Sequence, residues 1–153
     1  MARRSELVCI LMILLCGCEA QGSRYKKQGA AEGEGTILVY RPKGDFIGRG
    51  ENPYVTVNGE SLGHIFAGAY IAKTVPAGEH DVKVVQSLVF LPVWAKGVTV
   101  AVGEGGTAYV KVDQKITSLG GENSGIAARQ EIFIEEVDEV AGQAALAKSR
   151  RNE

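Results

Sequence analysis

From residue 36 onward the chain is a series of short runs in which apolar and polar residues alternate. They are TILVY (36–40), YVTV (54–57), ESLGHIF (60–66), AYIAKTV (69–75), HDVKVV (80–85), KGVTVAV (96–102), TAYVKV (107–112) and EIFIEEV (131–137). Within them Val55 and Val57, Val82 and Val84, Val98, Val100 and Val102, Ala108, Val110 and Val112, and Ile132 and Ile134 occupy every second position. A period of two sends successive side chains to opposite faces, so each run has one dry and one wet side. Runs of this length, broken by turn residues at spacings of about 8–12, predict an all-β fold: an antiparallel β-sandwich of seven to eight short strands. No helical pattern lies between them, which argues against a parallel α/β fold.

The turn chemistry predicts how the runs connect. Asn58-Gly59 suits a type I′ hairpin, which needs positive φ at both central positions. Pro76-Ala77-Gly78 predicts a second hairpin between 69–75 and 80–85, and Gly103-Glu104-Gly105-Gly106 a third between 96–102 and 107–112. Arg41-Pro42 ends the first strand or puts it at an edge, because proline cannot continue a central ladder. The run LVFLPVW (88–94) contains no polar residue and holds the single tryptophan. Pro92 demotes it to an edge or crossover. Two readings follow: the run crosses between the sheets and plugs the core, which is the expectation, or it offers Phe90, Leu91 and Trp94 to a partner protein or lipid.

One helix is predicted, at the C-terminus. Asp138 caps it, Glu139 suits its positive start, and Lys148, Arg150 and Arg151 suit its negative end. Its apolar face is thin: Val140, Ala144 and Ala147, with Leu146 to one side. The three basic residues read as a solvated helix end rather than a lipid contact.

The beginning of the chain carries a different pattern. Arg3 and Arg4 precede nine apolar residues, LVCILMILL (7–15), the core length of an export signal and about half the roughly 20 a spanning helix needs. That core runs into Leu15-Cys16-Gly17-Cys18. The stretch resembles the bacterial lipobox: an apolar residue, a variable one, a small one, then a cysteine that is lipidated and becomes the mature N-terminus. The resemblance implies cleavage between Gly17 and Cys18, acyl chains such as palmitate on Cys18, and attachment to membrane lipid; more than one chain makes the anchor durable. Glu19 follows the cysteine where enteric inner-membrane lipoproteins carry Asp, so the expected address is the cell envelope, on the periplasmic face of the outer membrane.

Cleavage there discards Cys9 and Cys16 and leaves the folded part without a free thiol or disulfide. It also removes Arg3, Arg4 and Glu6, leaving 15 basic and 17 acidic residues, a net charge of −2. Such a chain is not built to seek nucleic acid. The organisation expected is a signal peptide (1–17), a lipidated cysteine and flexible tether (18–35), one β-sandwich domain (36–137), and a C-terminal helix and tail (138–153). The tether, EAQGSRYKKQGAAEGEG after the cysteine, has almost no branched apolar residue to order it. As a coil it spans about 20–25 Å.

Reactive chemistry is sparse. His64 and His80 are the two histidines, too few for a zinc site without carboxylate help. Ser61, Ser87, Ser118 and Ser124 lack a nucleophile-elbow context. Glu135-Glu136 and Asp138-Glu139 are adjacent in sequence and point apart if extended, which ill suits shared acid–base work. Asp45, Glu51 and Asn52 offer oxygen atoms without the order of a calcium loop. No cofactor, metal site or catalytic residue is expected. The alternative is a periplasmic enzyme or metal-binding protein with its site in loops 41–53 and 117–130, near His64 or His80.

The segments Tyr40-Arg41-Pro42, YVTVNGESLGHI, AGAYIAKTVPAGEHDVKV and VTVAV with GGTAYVKV together resemble the lipoprotein-associated domain of unknown function numbered 2846, over about residues 35–140. VNGESLG and VPAGEHDVKV also resemble the PEGA module of surface-layer proteins. The resemblance implies a small β-sandwich in envelope lipoproteins and carries over no catalytic residue. The functional expectation is a membrane-anchored, non-enzymatic binding or structural module that engages an envelope protein or peptidoglycan.

Overall fold

A computed structural model describes residues 22–26, 30–43, 52–88, 91–119 and 128–152. Nine strands are present among them: β1 (Glu34–Tyr40), β2 (Tyr54–Val57), β3 (Glu60–His64), β4 (Ala69–Pro76), β5 (Gly78–Leu88), β6 (Leu91–Val102), β7 (Thr107–Leu119), β8 (Ala128–Val137) and β9 (Arg150–Arg151). One helix, α1 (Glu139–Leu146), precedes β9. The strands form two sheets, β8-β7-β1-β4-β9 and β3-β2-β5-β6. The expected all-β sandwich with a C-terminal helix is therefore the fold of the chain. Most pairings are antiparallel, but β1 runs parallel to β7 and β4 parallel to β9.

The alternating residues meet between the sheets. Ile37, Val39, Val55, Val57, Val82, Val84, Val100, Val102, Val110, Val112 and Ile132 form the inner core with Ile65 and Ala69. Each fully buried aliphatic side chain contributes about 1.5–3 kcal/mol relative to exposure. Strand β1 is buried on both faces, which explains its unbroken apolar run. Ile37 and Val39 face the inner core, whereas Leu38 and Tyr40 face a second layer with Tyr70, Tyr109 and Leu146. Pro42 lies two residues after the last paired position, so β1 is a central strand that ends at Tyr40.

Two of the three hairpin expectations are corrected. Asn58-Gly59 is the I′ hairpin, with φ of 51° and 82°. Strands β4 and β5, however, lie in different sheets, as do β6 and β7. Strand β4 pairs with β1 along its length and with β9 at Ala69 and Tyr70, while β5 is flanked by β2 and β6. Pro76-Ala77-Gly78 and Gly103–Gly106 are thus corners that carry the chain across the sandwich. The start of β1 ties both corners together: Ala77 N donates to Gly33 O at 2.9 Å, Gly105 N to Glu34 O at 2.7 Å and Thr36 N to Gly106 O at 3.0 Å. Gly35 is required at this crossing, since a Cβ there would stand 2.3 Å from Val102 Cγ1.

Besides β2–β3, the antiparallel pairs of consecutive strands are β5–β6 and β7–β8. Leu88 pairs with Leu91 and Gln86 with Trp94 inside one sheet. The segment holding LVFLPVW therefore does not cross between sheets, and β6 lies at an edge, where its proline is tolerated.

Two ion pairs among the described residues join one sheet to the other. Lys73 on β4 meets Glu60 on β3 at 2.7 Å, and Lys96 on β6 meets Glu131 on β8 at 3.1 Å while lying 5.1 Å from the Phe133 ring centroid.

Helix α1 begins as expected, Asp138 Oδ1 accepting from Ala141 N at 2.8 Å. Its buried side differs from the expected face. Gly142 and Leu146 are buried, Ala144 and Ala147 are exposed, and Val140 is 80% exposed. Gly142 decides the outcome: a Cβ there would lie 2.4 Å from Tyr109 ring carbons, so the missing side chain lets the helix backbone rest on that ring. The helix stops at Leu146, and Arg150 and Arg151 belong to β9 rather than to a helix end.

Candidate functional site

The two ends of the described chain meet at one corner of the sandwich. Strand β9 adds to β4 by Arg150 N donating to Gly68 O and Asn152 N to Tyr70 O, both at 2.9 Å. Asn152 fixes the end by its side chain, Nδ2 donating to His64 O at 2.6 Å and Oδ1 accepting from Phe66 N at 3.3 Å. Ser149 is buried, its hydroxyl donating to Ala145 O at 3.0 Å.

Residues 22–26 lie against the outer side of β9. Arg151 N donates to Ser23 O at 2.7 Å, and Tyr70 Oη reaches the same carbonyl at 3.4 Å. Gly22 is buried, and a Cβ on it would stand 2.1 Å from Arg151 O. Tyr25 packs edge-on against Tyr70, ring centroids 5.6 Å apart. Burial lifts the Tyr25 hydroxyl above the usual tyrosine range, with Tyr109 and Tyr70 adding to the effect. The flexible tether expected over 18–35 is thus docked on the domain at residues 22–26, and its last two residues already belong to β1. The sequence signal was slight: one aromatic residue, Tyr25, in a polar stretch.

This corner is basic. Arg24, Lys26, Lys148, Arg150 and Arg151 are all exposed. The ion pairs among the described residues lie elsewhere, at Lys73, Lys83, Lys96 and Lys111. Gly17 and Cys18 lie outside the described residues. Four residue steps separate Cys18 from Gly22, which at full extension is about 14 Å.

The histidines are held apart. His80 is buried at 6% exposure, Nε2 at 2.8 Å from Pro76 O and Nδ1 at 2.9 Å from Asn58 Nδ2. These partners require Nε2 to donate to the carbonyl and Nδ1 to accept from the amide, so both nitrogens are spent on the corner and the I′ turn. Asn58 Oδ1 also accepts from Asp81 N at 2.9 Å. His64 is exposed, with Nδ1 donating to Asn52 O at 2.7 Å and its ring edge-on to Tyr54 at 4.7 Å. His64 pairs with Tyr54 at one end of β2, whereas His80 joins the turn beyond Val57 at the other. A four-residue strand separates them by about 10 Å or more, so one ion cannot take both. Among the described residues no group of three or more His, Cys, Asp or Glu is arranged to hold a metal.

Between these ends Arg41 is buried at 4% exposure, Nη1 donating to Ile65 O at 3.2 Å and Nη2 to Gln114 Oε1. Gln114 Nε2 and Asn52 Oδ1 are buried with no hydrogen-bond partner among the described residues. Sequence reading missed Arg41, because an arginine before a proline at a strand end looks like surface. Of the other expected positions, Asp45, Glu51, Phe90 and Ser124 lie outside the described residues. Leu91 and Trp94 are placed on β6 by their backbone pairing alone. Ser61 accepts from Gly63 N at 3.3 Å, a local turn contact.

The family described as "Protein of unknown function (DUF2846)" matches residues 31–124, more than half of the chain. The chain belongs to the DUF2846 family. The match covers β1 to β7, while β8, α1 and β9 lie beyond it. The DUF2846 portion therefore contains most of the inner sandwich and both corners, β8 completing the core with Ile132, and the basic residues of the β9 corner lie on segments on either side of it. No curated protein matches the chain. Among the described residues no helix is long and apolar enough to cross a membrane.

Proposed function

We propose that this DUF2846 chain is an envelope lipoprotein, acylated at Cys18 and held on the periplasmic face of the outer membrane, whose sandwich is a non-enzymatic binding or structural module. The observation that carries the reading is the docking of residues 22–26 along β9. A chain tied down four residues after its anchor transmits the position of that anchor to the whole domain, which suits a module displayed in a fixed pose. His80 supports the non-enzymatic part, since its ring nitrogens serve the fold. An envelope protein or peptidoglycan is the partner class that such a display would serve.

A Cys18→Ala variant tests the anchor. The parent is expected in the membrane fraction and in the detergent phase on phase separation, and the variant is expected to lose detergent partitioning. Equal partitioning of both would overturn the anchor at Cys18.

A further inference from the structure

We infer that Arg24, Lys26, Lys148, Arg150 and Arg151 form a contact surface for anionic phospholipid headgroups, which seats the sandwich with its β9 corner against the bilayer. The inference rests on the lipoprotein reading and adds the orientation and the lipid class. Two chain segments far apart in sequence bring these residues together: Ser23 is bonded to Arg151, which places Arg24 beside β9, and Lys148 lies two residues before it. All five are exposed, and none has a carboxylate partner among the described residues. The chain after cleavage is net acidic, so this concentration of positive charge is a local feature rather than a general excess.

Reach decides the kind of partner. An acylated Cys18 sits at headgroup level, and Gly22 is then at most about 14 Å away. The basic corner therefore lies within one or two screening lengths of the lipid phosphates, since that length is about 8–10 Å at moderate salt. Each lysine or arginine near an anionic surface strengthens attachment by about fivefold. A set of five is comparable with the juxtamembrane clusters that recognise anionic lipid.

The test uses the native, processed protein mixed with vesicles of phosphatidylcholine alone or with phosphatidylglycerol added. Attachment is followed by flotation, and amide hydrogen exchange is followed over residues 22–26 and 148–152. The expected result is attachment to both vesicle types, with exchange in these segments slowed severalfold only where phosphatidylglycerol is present. High salt is expected to reverse the slowing. Combined Arg24→Gln, Arg150→Gln and Arg151→Gln should abolish it, whereas Lys83→Gln with Lys96→Gln, on the sandwich flanks, should not. Attachment to both with equal exchange overturns the lipid surface and leaves the anchor standing. Salt-sensitive attachment to phosphatidylglycerol vesicles alone overturns the anchor and supports the surface. Attachment to neither overturns both.

Discussion

Tyr25 stands edge-on to Tyr70 at an interplanar angle of 82°, joining a residue of the N-terminal segment to strand β4. An edge-to-face aromatic pair contributes about 0.5–1.5 kcal/mol beyond its buried area. Tyr25→Ala should therefore loosen residues 22–26 while leaving the inner core folded. Gly22→Ala should do the same by driving a Cβ into Arg151 O. Trypsin cleavage after Arg24 and Lys26 checks both: the variants are expected to be cut severalfold faster than the parent, and an unchanged rate would show that the segment is not docked in solution.

Alkaline pH should weaken the same contact. Burial raises the Tyr25 hydroxyl, and burial also raises Tyr40. Lys111 is raised first by its hydrogen bond to Glu135, with Asp113 adding and burial opposing. For each group the folded chain holds its proton more tightly than the unfolded one. Stability is therefore fully present below about pH 10 and is lost as pH rises through the folded values. Denaturant unfolding followed from pH 8 to pH 11 should show a falling midpoint above about pH 10, and Tyr25→Phe should flatten the fall.

Gly142 gives a test of opposite sign to helix propensity. Alanine at an exposed helix position is favoured over glycine by about 1 kcal/mol. At position 142 the added methyl meets the Tyr109 ring at 2.4 Å, and overpacking of that kind costs about 1–3 kcal/mol. Gly142→Ala is expected to lower the melting temperature, and a rise would mean that α1 does not rest on Tyr109.

Asn58 serves both the I′ turn and His80. Asn58→Gly keeps the positive φ and loses the bonds to His80 Nδ1 and Asp81 N, while Asn58→Ala also strains the backbone. Losses of about 1–2 and 2–3 kcal/mol are expected in that order. Equal losses would remove the turn from the explanation.

Much of the sandwich was legible because Val55, Val57, Val82 and Val84 declare a dry face by spacing alone. The sheet in which each strand lies was not. Val75 and Val82 alternate in the same way whether their strands pair or face each other, and Pro76-Ala77-Gly78 signals a reversal without naming a partner. Pairing is settled by distant parts of the chain: β4 pairs with β1, far before it in sequence, and at Ala69 and Tyr70 with β9, far after. The helix face was misread for a related reason. Val140 and Ala144 are more apolar than Gly142, yet contact distance with Tyr109 ranks the small residue first. Of the proposed functional positions, Cys18 is read from the segment before it, while the basic corner is not legible in sequence, because Arg24 and Arg151 meet only once β9 has formed.

The central claim is that acyl chains on Cys18 hold this domain at the membrane, and intact-mass and N-terminal peptide mass spectrometry of the native protein tests it most directly. The account predicts a chain beginning at Cys18 and heavier than its amino acids by the mass of a diacylglyceryl group with or without a further acyl chain. A native chain that begins elsewhere, or that carries an unmodified Cys18, would contradict it.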